Sequence, residues 1–200
     1  MSKLSAWLTL NMVPDLGPSG ARKLLDKFGG VEQIFENLAR LGECRWLTQS
    51  QVKALQRMPS RAGEIEEYAL EIEDQCIQIL TFDRDDYPDS LRPLPDAPFV
   101  LYVAGSLLPE DRQAVAIVGT RTPTQEGEDM AYRLAAAFAA RGVTVVSGLA
   151  MGIDTAAHIG SLDAGGRTIA VLGSGLFHLT PRGNQELWAQ IRQSGAVVSE

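Results

Sequence analysis

The sequence has few cysteines and no long apolar run. Cys44 and Cys76 are the only cysteines, and they show neither zinc-ligand spacing nor the density of a disulfide framework. No stretch approaches the roughly 18 apolar residues that span a bilayer, and the polar-flanked first ten residues do not resemble a secretory signal peptide. We therefore expect a cytoplasmic protein that needs no metal or other cofactor.

Positive charge is also in short supply. The 200 residues have a formal net charge of −7, and the acidic excess is concentrated in residues 61–110. This balance argues against indiscriminate binding to nucleic acid, so an anion site elsewhere must depend on a few local groups. A composition of 45% hydrophobic and 22% charged residues is typical of a folded protein.

Residues 1–76 are predicted to form a small all-helical domain. Apolar residues recur at helical spacing, as in the pair Leu24 and Phe28. A run of helix breakers over residues 13–20 predicts a tight turn between two helices, and Thr48 is a candidate N-cap for a later helix.

Residues 77–113 are predicted to connect two domains. Ile77–Phe82 and Phe99–Val103 have the composition of short strands. The residues between them contain four prolines, which exclude a regular element and leave either an ordered connector or a flexible linker.

From Ala114 to the end, strands alternate with helices, which predicts an α/β domain with a doubly wound, mostly parallel, Rossmann-like sheet. The first strand is wholly apolar and is expected to be buried on both faces. The first helix is expected to bury Met130, Leu134 and Phe138. The predicted strands are residues 114–118, 143–147, 167–173 and 196–199, and the predicted helices are residues 125–141, 153–164 and 184–193.

Glycine-rich turns follow the first three of these strands. Glycine lets a ligand approach the backbone closely, and helix N-termini offer N–H groups with partial positive charge. Because the carboxyl ends of parallel strands share one edge, we expect an anion site there, although no turn matches a Walker A loop or a dinucleotide fingerprint. The candidate contacts are Gly119, Thr120, Arg121, Ser147, Gly148, Arg167, Gly173, Ser174, Gly175 and Arg182.

Asp154 and His158 lie four residues apart on one predicted helix. They form either an acid–base pair or a helix-start carboxylate and a packing histidine, and we favour the second interpretation. The alternative function is a nucleotide-binding domain with nucleoside monophosphate hydrolase activity, in which Asp154 or Ser147 is catalytic. No cysteine or activated serine lies nearby, so our leading expectation names no catalytic residue.

The amino-terminal turn resembles a helix-hairpin-helix motif. In that motif, amides at the start of the second helix hold a nucleic-acid phosphate without reading sequence. Gly17 and Gly20 are the turn candidates, and Arg22 and Lys23 are the candidate secondary phosphate contacts. Such hairpins also occur as structural or protein-contact modules, and both interpretations stay open.

Several motifs occur in a fixed order along the second half of the chain. They are Val115-Ala-Ile-Val-Gly119-Thr-Arg121, Val146-Ser-Gly-Leu-Ala-Met-Gly-Ile-Asp154, Ala157-His158, Gly166-Arg-Thr-Ile-Ala-Val-Leu-Gly-Ser-Gly175, Pro181-x-x-Asn184 and Ser199-Glu200. This order resembles the DNA-processing protein A family (DprA, also called Smf). Residues 1–76 are similar to the family's SAM-like amino-terminal domain, and residues 87–105 to the entry of its Rossmann-like domain.

The resemblance implies a binding protein and not an enzyme. Family members bind single-stranded DNA, protect incoming DNA in natural transformation, load the recombinase RecA and act as homodimers. The resemblance implies a phosphate contact for Arg121 above all, then for Arg182 and more weakly for Arg167, and it adds Asn184 to the same site.

The sequence departs from the family pattern in three places. Met151 stands where many members have Arg, and Thr180 stands where Tyr is usual. The family's Rossmann-like domain also runs on past Ser199-Glu200. We therefore expect a Rossmann-like domain, residues 114–200, that is incomplete at its C-terminus, with part of the DNA site and of the usual dimer surface in the missing part.

Overall fold

The structure is a computed structural model, which describes residues 1–176 and 182–200, with only the backbone of Arg182. The chain divides into two compact units. Unit 1 contains residues 1–75 and 79–101, and unit 2 contains residues 76–78 and 102–200. No helix in these described ranges is long and apolar enough to cross a membrane.

Unit 1 is mainly helical, as predicted. Its helices are α1 (Lys3–Asn11), α2 (Gly17–Phe28), α3 (Val31–Glu36), α4 (Gln49–Arg57) and α5 (Ala62–Asp74), with short 3-10 helices at Leu38–Glu43 and Met58–Arg61. Gly29 ends α2 at a φ of 89°, a conformation that glycine adopts without strain. Thr48 caps α4 in a reciprocal capping box with Gln51, which confirms the predicted N-cap.

The proline-rich segment of unit 1 is an ordered connector and not a flexible linker. The hydroxyl of Tyr87 donates to the carbonyl of Pro98 at 2.6 Å. The guanidinium of Arg92 donates to the carbonyls of Phe82 and Arg84, at 2.6 and 2.5 Å. These bonds tie the segment to its own ends, which prolines alone cannot do because they lack an amide donor.

The strands form one six-stranded sheet in the order β1-β2-β6-β5-β4-β3. They are β1 (Ile77–Thr81), β2 (Val100–Gly105), β3 (Ala114–Ala116), β4 (Thr144–Ser147), β5 (Thr168–Leu172) and β6 (Ala196–Ser199). β3 to β6 are parallel, and β2 pairs with β6 antiparallel. The predicted mostly parallel sheet is confirmed, and it brings the ends of β3, β4 and β5 to one edge.

Three helices of unit 2 connect the parallel strands. They are α6 (Gln125–Ala139), α7 (Ile153–Asp163) and α8 (Gln185–Ser194). α7 packs against both α6 and α8, so the three form one layer on one face of the sheet. Among the described residues of unit 2, no second helical layer covers the opposite face.

The expectation that the first apolar strand is buried on both faces is wrong. β3 is an edge strand that pairs only with β4. Ala114 and Ala116 are exposed, and Val118 beyond them is 70% exposed. Val115 and Ile117 alternate with them and pack against the core cluster under α6 and α7. The apolar run indicated a strand correctly, but it did not indicate the strand's place in the sheet.

The predicted buried face of α6 is wrong for Met130 and Leu134, whereas Phe138 is partly buried and packs against the core cluster. Met130 and Leu134 are 58% and 45% exposed, whereas the small residues Ala131, Ala135 and Ala139 are buried. α6 turns its alanines inward because α7 approaches very closely. A methyl group placed on Gly160 of α7 would lie about 3 Å from the backbone carbons of the α6 residue Tyr132, so a larger side chain does not fit there.

Candidate functional site

The three glycine turns lie together at the carboxyl edge of the parallel strands. We call residues 119–123 the first loop, residues 147–152 the second loop and residues 173–175 the third loop. A methyl group on Gly119 would lie 2.7 Å from Cγ1 of Ile153, directly after the second loop, and one on Gly148 would lie 3.8 Å from the carbonyl of Val171, close before the third loop. The predicted convergence is confirmed.

The backbone of the first loop rests directly on Gly152. Gly152 has a φ of +83°, and a methyl group there would lie 2.5 Å from the carbonyl oxygen of Thr120 and 2.7 Å from Cδ of Pro123. The amide of Ile153 donates to the same Thr120 carbonyl at 3.3 Å. Only glycine permits this approach, so the second loop sets the position of the first.

Arg121 is an exposed side chain on the first loop. Within the described residues, its guanidinium has no hydrogen-bond or ion-pair partner. Thr120 and Thr122 beside it are exposed, and the amide of Thr122 donates to Oγ1 of Thr120 at 3.2 Å. The guanidinium therefore keeps its full set of N–H donors for a ligand.

The amides of the second loop are occupied by a carboxylate of the protein itself. Oδ2 of Asp154 accepts hydrogen bonds from the amides of Gly148 at 3.0 Å and Ala150 at 3.4 Å. Asp154 is only 6% exposed. The hydroxyl of Ser147, also buried, donates to the carbonyl of Ile117 at 2.6 Å. The predicted contacts Ser147 and Gly148 are thus engaged inside the fold.

The rest of the second loop is tied down by Asn184. Its Nδ2 donates to the carbonyl of Leu149 and to Oγ1 of Thr155, both at 3.0 Å, and that hydroxyl donates to the carbonyl of Ala150 at 2.7 Å. Leu149 is fully buried in a left-handed conformation, at a φ of 57°, which costs free energy for any residue but glycine. Asn184 therefore positions the loop, whereas the sequence suggested a direct ligand contact.

The third loop offers open backbone. Gly173 and Ser174 are exposed, and Gly175 has a φ of +75°. A methyl group on either glycine would meet nothing within 4 Å. This loop and the first loop therefore present exposed backbone to a ligand at the edge.

Of the predicted arginines, Arg167 does not join the edge. Arg167 precedes β5 at the opposite, amino end of the strand. Its guanidinium donates to both carboxylate oxygens of Asp111 at 3.0 and 2.9 Å and to the carbonyls of Ser106 and Ser194. The side chain of Arg182 and the motif residue Pro181 lie outside the described residues.

Asp111 is the structural partner that holds Arg167 in this position. Burial of Asp111 acts to raise the pKa of its carboxyl. Hydrogen bonds from the Arg167 guanidinium, the Leu108 amide and the Thr144 hydroxyl outweigh burial, so the pKa is lower than usual. This ion pair is a feature that sequence reasoning missed, because 56 residues separate its two members.

His158 is a packing residue, as we favoured from the sequence. It is fully buried, and its Nδ1 lies 2.6 Å from Oγ1 of Thr168, whose hydroxyl donates to the carbonyl of Val145. His158 is therefore the donor in the bond to Thr168. Burial lowers the pKa of His158 to about 4, although the nearby Asp154 carboxylate acts to raise it. A histidine in this state does not exchange protons with a ligand at neutral pH.

The amino-terminal hairpin is formed by α1 and α2, with Gly17 at a φ of +60°. Arg22 is used within unit 1, since it donates to the carbonyl of Leu94 at 3.2 Å and lies 5.3 Å from the ring centre of Phe82. A methyl group on Gly20 would lie 2.8 Å from Cδ1 of Leu16. Of the two predicted cations only Lys23 is exposed. The secondary phosphate site therefore stays a prediction, in which Lys23 is the cation that could contact a phosphate.

Within the described ranges, no group of three or more His, Cys, Asp or Glu side chains is arranged to hold a metal ion. The arrangement at the edge instead suits an anion held by arginine and backbone donors.

Comparison with known proteins identifies a single family. A family model described as "DNA recombination-mediator protein A" matches residues 78–200. Protein Smf of Synechocystis sp. is 34% identical over 204 residues, which cover 100% of this chain and 51% of that protein. DNA processing protein DprA of Bacillus subtilis is 36% identical over 129 residues, covering 64% of this chain and 43% of that protein. The chain thus spans about half the length of these curated relatives.

Two solved structures share the fold. DNA processing protein A of Streptococcus pneumoniae superimposes with a TM-score of 0.77 at 28% identity, covering 98% of this chain and 66% of that one. DNA processing protein A of Helicobacter pylori gives a TM-score of 0.53 at 31% identity, covering 61% of this chain and 55% of that one, and its structure is described as showing a single-stranded DNA binding mode. The predicted fold class is confirmed.

Proposed function

Because this chain belongs to the DNA recombination-mediator protein A family, we propose that the edge formed by its first and third loops binds the sugar-phosphate backbone of single-stranded DNA. The Helicobacter pylori relative, whose structure is described by its single-stranded DNA binding mode, supports this choice of ligand. An acidic protein with a net charge of −7 needs a local site for it, and the loop edge provides one.

Arg121 is the observation that carries the proposal. It is exposed, has no partner in the described residues, and lies on a loop whose backbone is seated on Gly152. A guanidinium binds phosphate through two parallel N–H donors. Gly173 and Ser174 add exposed backbone and a hydroxyl on the neighbouring loop. Arg182 and Asn184 belong to the proposed site as a further cation and as a positioning group, whereas Arg167 does not.

We propose a binding protein and not an enzyme. The carboxylate of Asp154 is held by two loop amides, and His158 is buried with a low pKa. The Ser147 hydroxyl is bonded to a main-chain carbonyl. The three side chains considered for a nucleoside monophosphate hydrolase are therefore engaged within the fold, and no observation favours that alternative.

Membership of the family supports a proposal for the cellular role. We propose that the protein protects incoming single-stranded DNA during natural transformation and passes it to RecA, and that its full-length relatives act as homodimers.

Fluorescence anisotropy of labelled oligo-dT, at two salt concentrations, tests the DNA site. Arg121→Ala should weaken binding by about 10-fold or more, since a hydrogen-bonded charge contributes about 1.5–3 kcal/mol and each 1.4 kcal/mol is a factor of about 10. The plot of the logarithm of the binding constant against the logarithm of the salt concentration should also become less steep, by the contribution of one phosphate contact, which is about 0.7. Arg141→Ala is the matched control, because Arg141 is exposed and lies before β4, at the opposite edge. Equal affinities of the two variants would refute the assignment of Arg121.

A further inference from the structure

We propose that Asp154 is a built-in anion: its carboxylate fills the phosphate-type position of the second loop and, by holding that loop, positions Arg121. The inference deepens the proposed DNA site and rests on it for the role of Arg121. It divides the three glycine loops into one that is internally occupied and two that face the ligand.

The geometry of the second loop is that of an occupied anion cradle. Two amides of the loop, from Gly148 and Ala150, converge on the single oxygen Oδ2 of Asp154. Asp154 itself is the second residue of α7, so its carboxylate turns back over the start of the helix, where the helix dipole favours negative charge. These are the interactions that a bound phosphate makes with such a loop.

Steric constraints leave no room for a second anion in the cradle. A methyl group on Gly148 would lie 2.8 Å from Oδ2 of Asp154, so the carboxylate is in close contact with the glycine backbone. The residue as a whole is buried from solvent, with 6% of its surface exposed. An external phosphate can therefore use these amides only if Asp154 leaves.

Asp154 is connected to Arg121 through consecutive backbone contacts. The carboxylate holds residues 148 and 150, the loop continues to Gly152, and Gly152 supports the carbonyl of Thr120 and the backbone of Arg121. Asp154 is thus a positioning residue for the DNA contact and does not itself contact DNA.

A chemical-rescue experiment tests the built-in anion. In Asp154→Ala the two amides lose their acceptor, so the melting temperature should fall and should rise again with formate or inorganic phosphate, compared with chloride at equal ionic strength. The wild type should gain less from either anion than Asp154→Ala does, because its cradle is already filled and only the general stabilisation by phosphate remains. Asp129→Ala is the matched control, because Asp129 is an exposed carboxylate on α6 that accepts only a bond from Gln125 within its own helix. An Asp154→Ala variant that melts at the same temperature in all three anions would overturn the proposal.

DNA binding adds a second readout. Asp154→Ala should bind oligo-dT several-fold more weakly in chloride, although it has lost a negative charge, and formate should restore the affinity. Tighter binding in chloride would show that Asp154 merely repels DNA, and would overturn its positioning role. If neither the wild type nor any variant binds DNA, the proposed function fails. The melting temperatures of Asp154→Ala in the three anions still test the built-in anion in that case.

Amide hydrogen exchange in the wild type covers the case in which Asp154→Ala does not fold. The amides of Gly148 and Ala150 should exchange slowly, and phosphate should leave their rates unchanged. Exchange at the rate of exposed amides, or slowing by phosphate, would refute the occupied cradle.

Discussion

The first and second loops occupy equivalent positions after neighbouring parallel strands, yet they differ in what their polar groups bind. In the first loop Arg121 is exposed and has no partner among the described residues. In the second loop the amides of Gly148 and Ala150 hold the carboxylate of Asp154. Glycine-rich spacing therefore identifies a backbone shape that suits an anion, but the surrounding side chains decide whether that anion is a ligand or part of the protein.

The largest expected effect is the loss of the contact between the two loops. Gly152→Ala introduces a methyl group 2.5 Å from the Thr120 carbonyl at a positive φ, so it should destabilise the protein by about 3 kcal/mol or more. Gly173→Ala on the third loop meets open space and should change stability by less than about 0.5 kcal/mol. Urea denaturation followed by circular dichroism measures both, and equal stabilities would show that the first loop does not depend on Gly152.

Acid should destabilise the helix that supports the second loop. The pKa of His158 is about 4 in the folded protein and about 6.5 when unfolded. The unfolded state therefore binds the proton first, and the stability present above pH 6.5 is lost as the pH falls toward 4. The loss attributable to His158 is about 3 kcal/mol.

The free energy of unfolding, measured against pH in the wild type and in His158→Gln, isolates this contribution. Acidic groups titrate in both proteins, so the difference between the two curves belongs to His158. A wild-type slope in His158→Gln would show that another group is responsible.

A smaller effect is expected for the side chain that ties down the second loop. Asn184→Ala removes the donor to the Leu149 carbonyl and to Thr155, which should cost about 1–3 kcal/mol because buried groups lose a partner. Oligo-dT affinity should fall with it, since the loop supports Arg121. Asn37→Ala, which removes an exposed bond to the Gln33 carbonyl, should be nearly neutral in both assays. If the DNA affinity of Asn184→Ala equals that of the wild type, the conformation of the second loop does not affect the DNA site.

The smallest expected effect comes from adding charge to the second loop. Met151 is 50% exposed and stands where the family resemblance places Arg. Met151→Arg should tighten oligo-dT binding a few-fold and steepen the salt dependence by about 0.7, the share of one phosphate. Met130→Arg, at an equally exposed position on α6, adds the same charge away from the edge. Equal gains in both variants would indicate general electrostatic attraction and not a site.

Local patterns predicted the elements of the fold well, because each depends on nearby residues. The Thr48 cap and the alternation of strands and helices are of this kind. The expected burial of Met130 and Leu134 was wrong because the packing of α6 depends on Gly160 of α7, which allows a closer approach than these larger side chains permit. The burial of β3 was wrong because an apolar run does not reveal whether a strand lies at an edge.

The sequence predicted where the three loops lie in the fold, but it did not predict the hydrogen bonds that hold them. Motif order identified Arg121 and the three loops. The roles of Asp154 and Asn184 and the pairing of Arg167 with Asp111 depend on contacts made through the fold. An acidic residue directly after a glycine loop, at the start of a helix, is the sequence signal from which the hydrogen bonds of Asp154 to the loop could have been predicted.

Amide chemical-shift mapping with oligo-dT tests the central claim most directly. Saturating DNA should shift the amides of the first loop, residues 119–122, and of the third loop, residues 173–175. The amides of Gly148 and Ala150 should change little, because Asp154 already occupies them. The largest shifts at Gly148 and Ala150, with the first loop unaffected, would contradict the account.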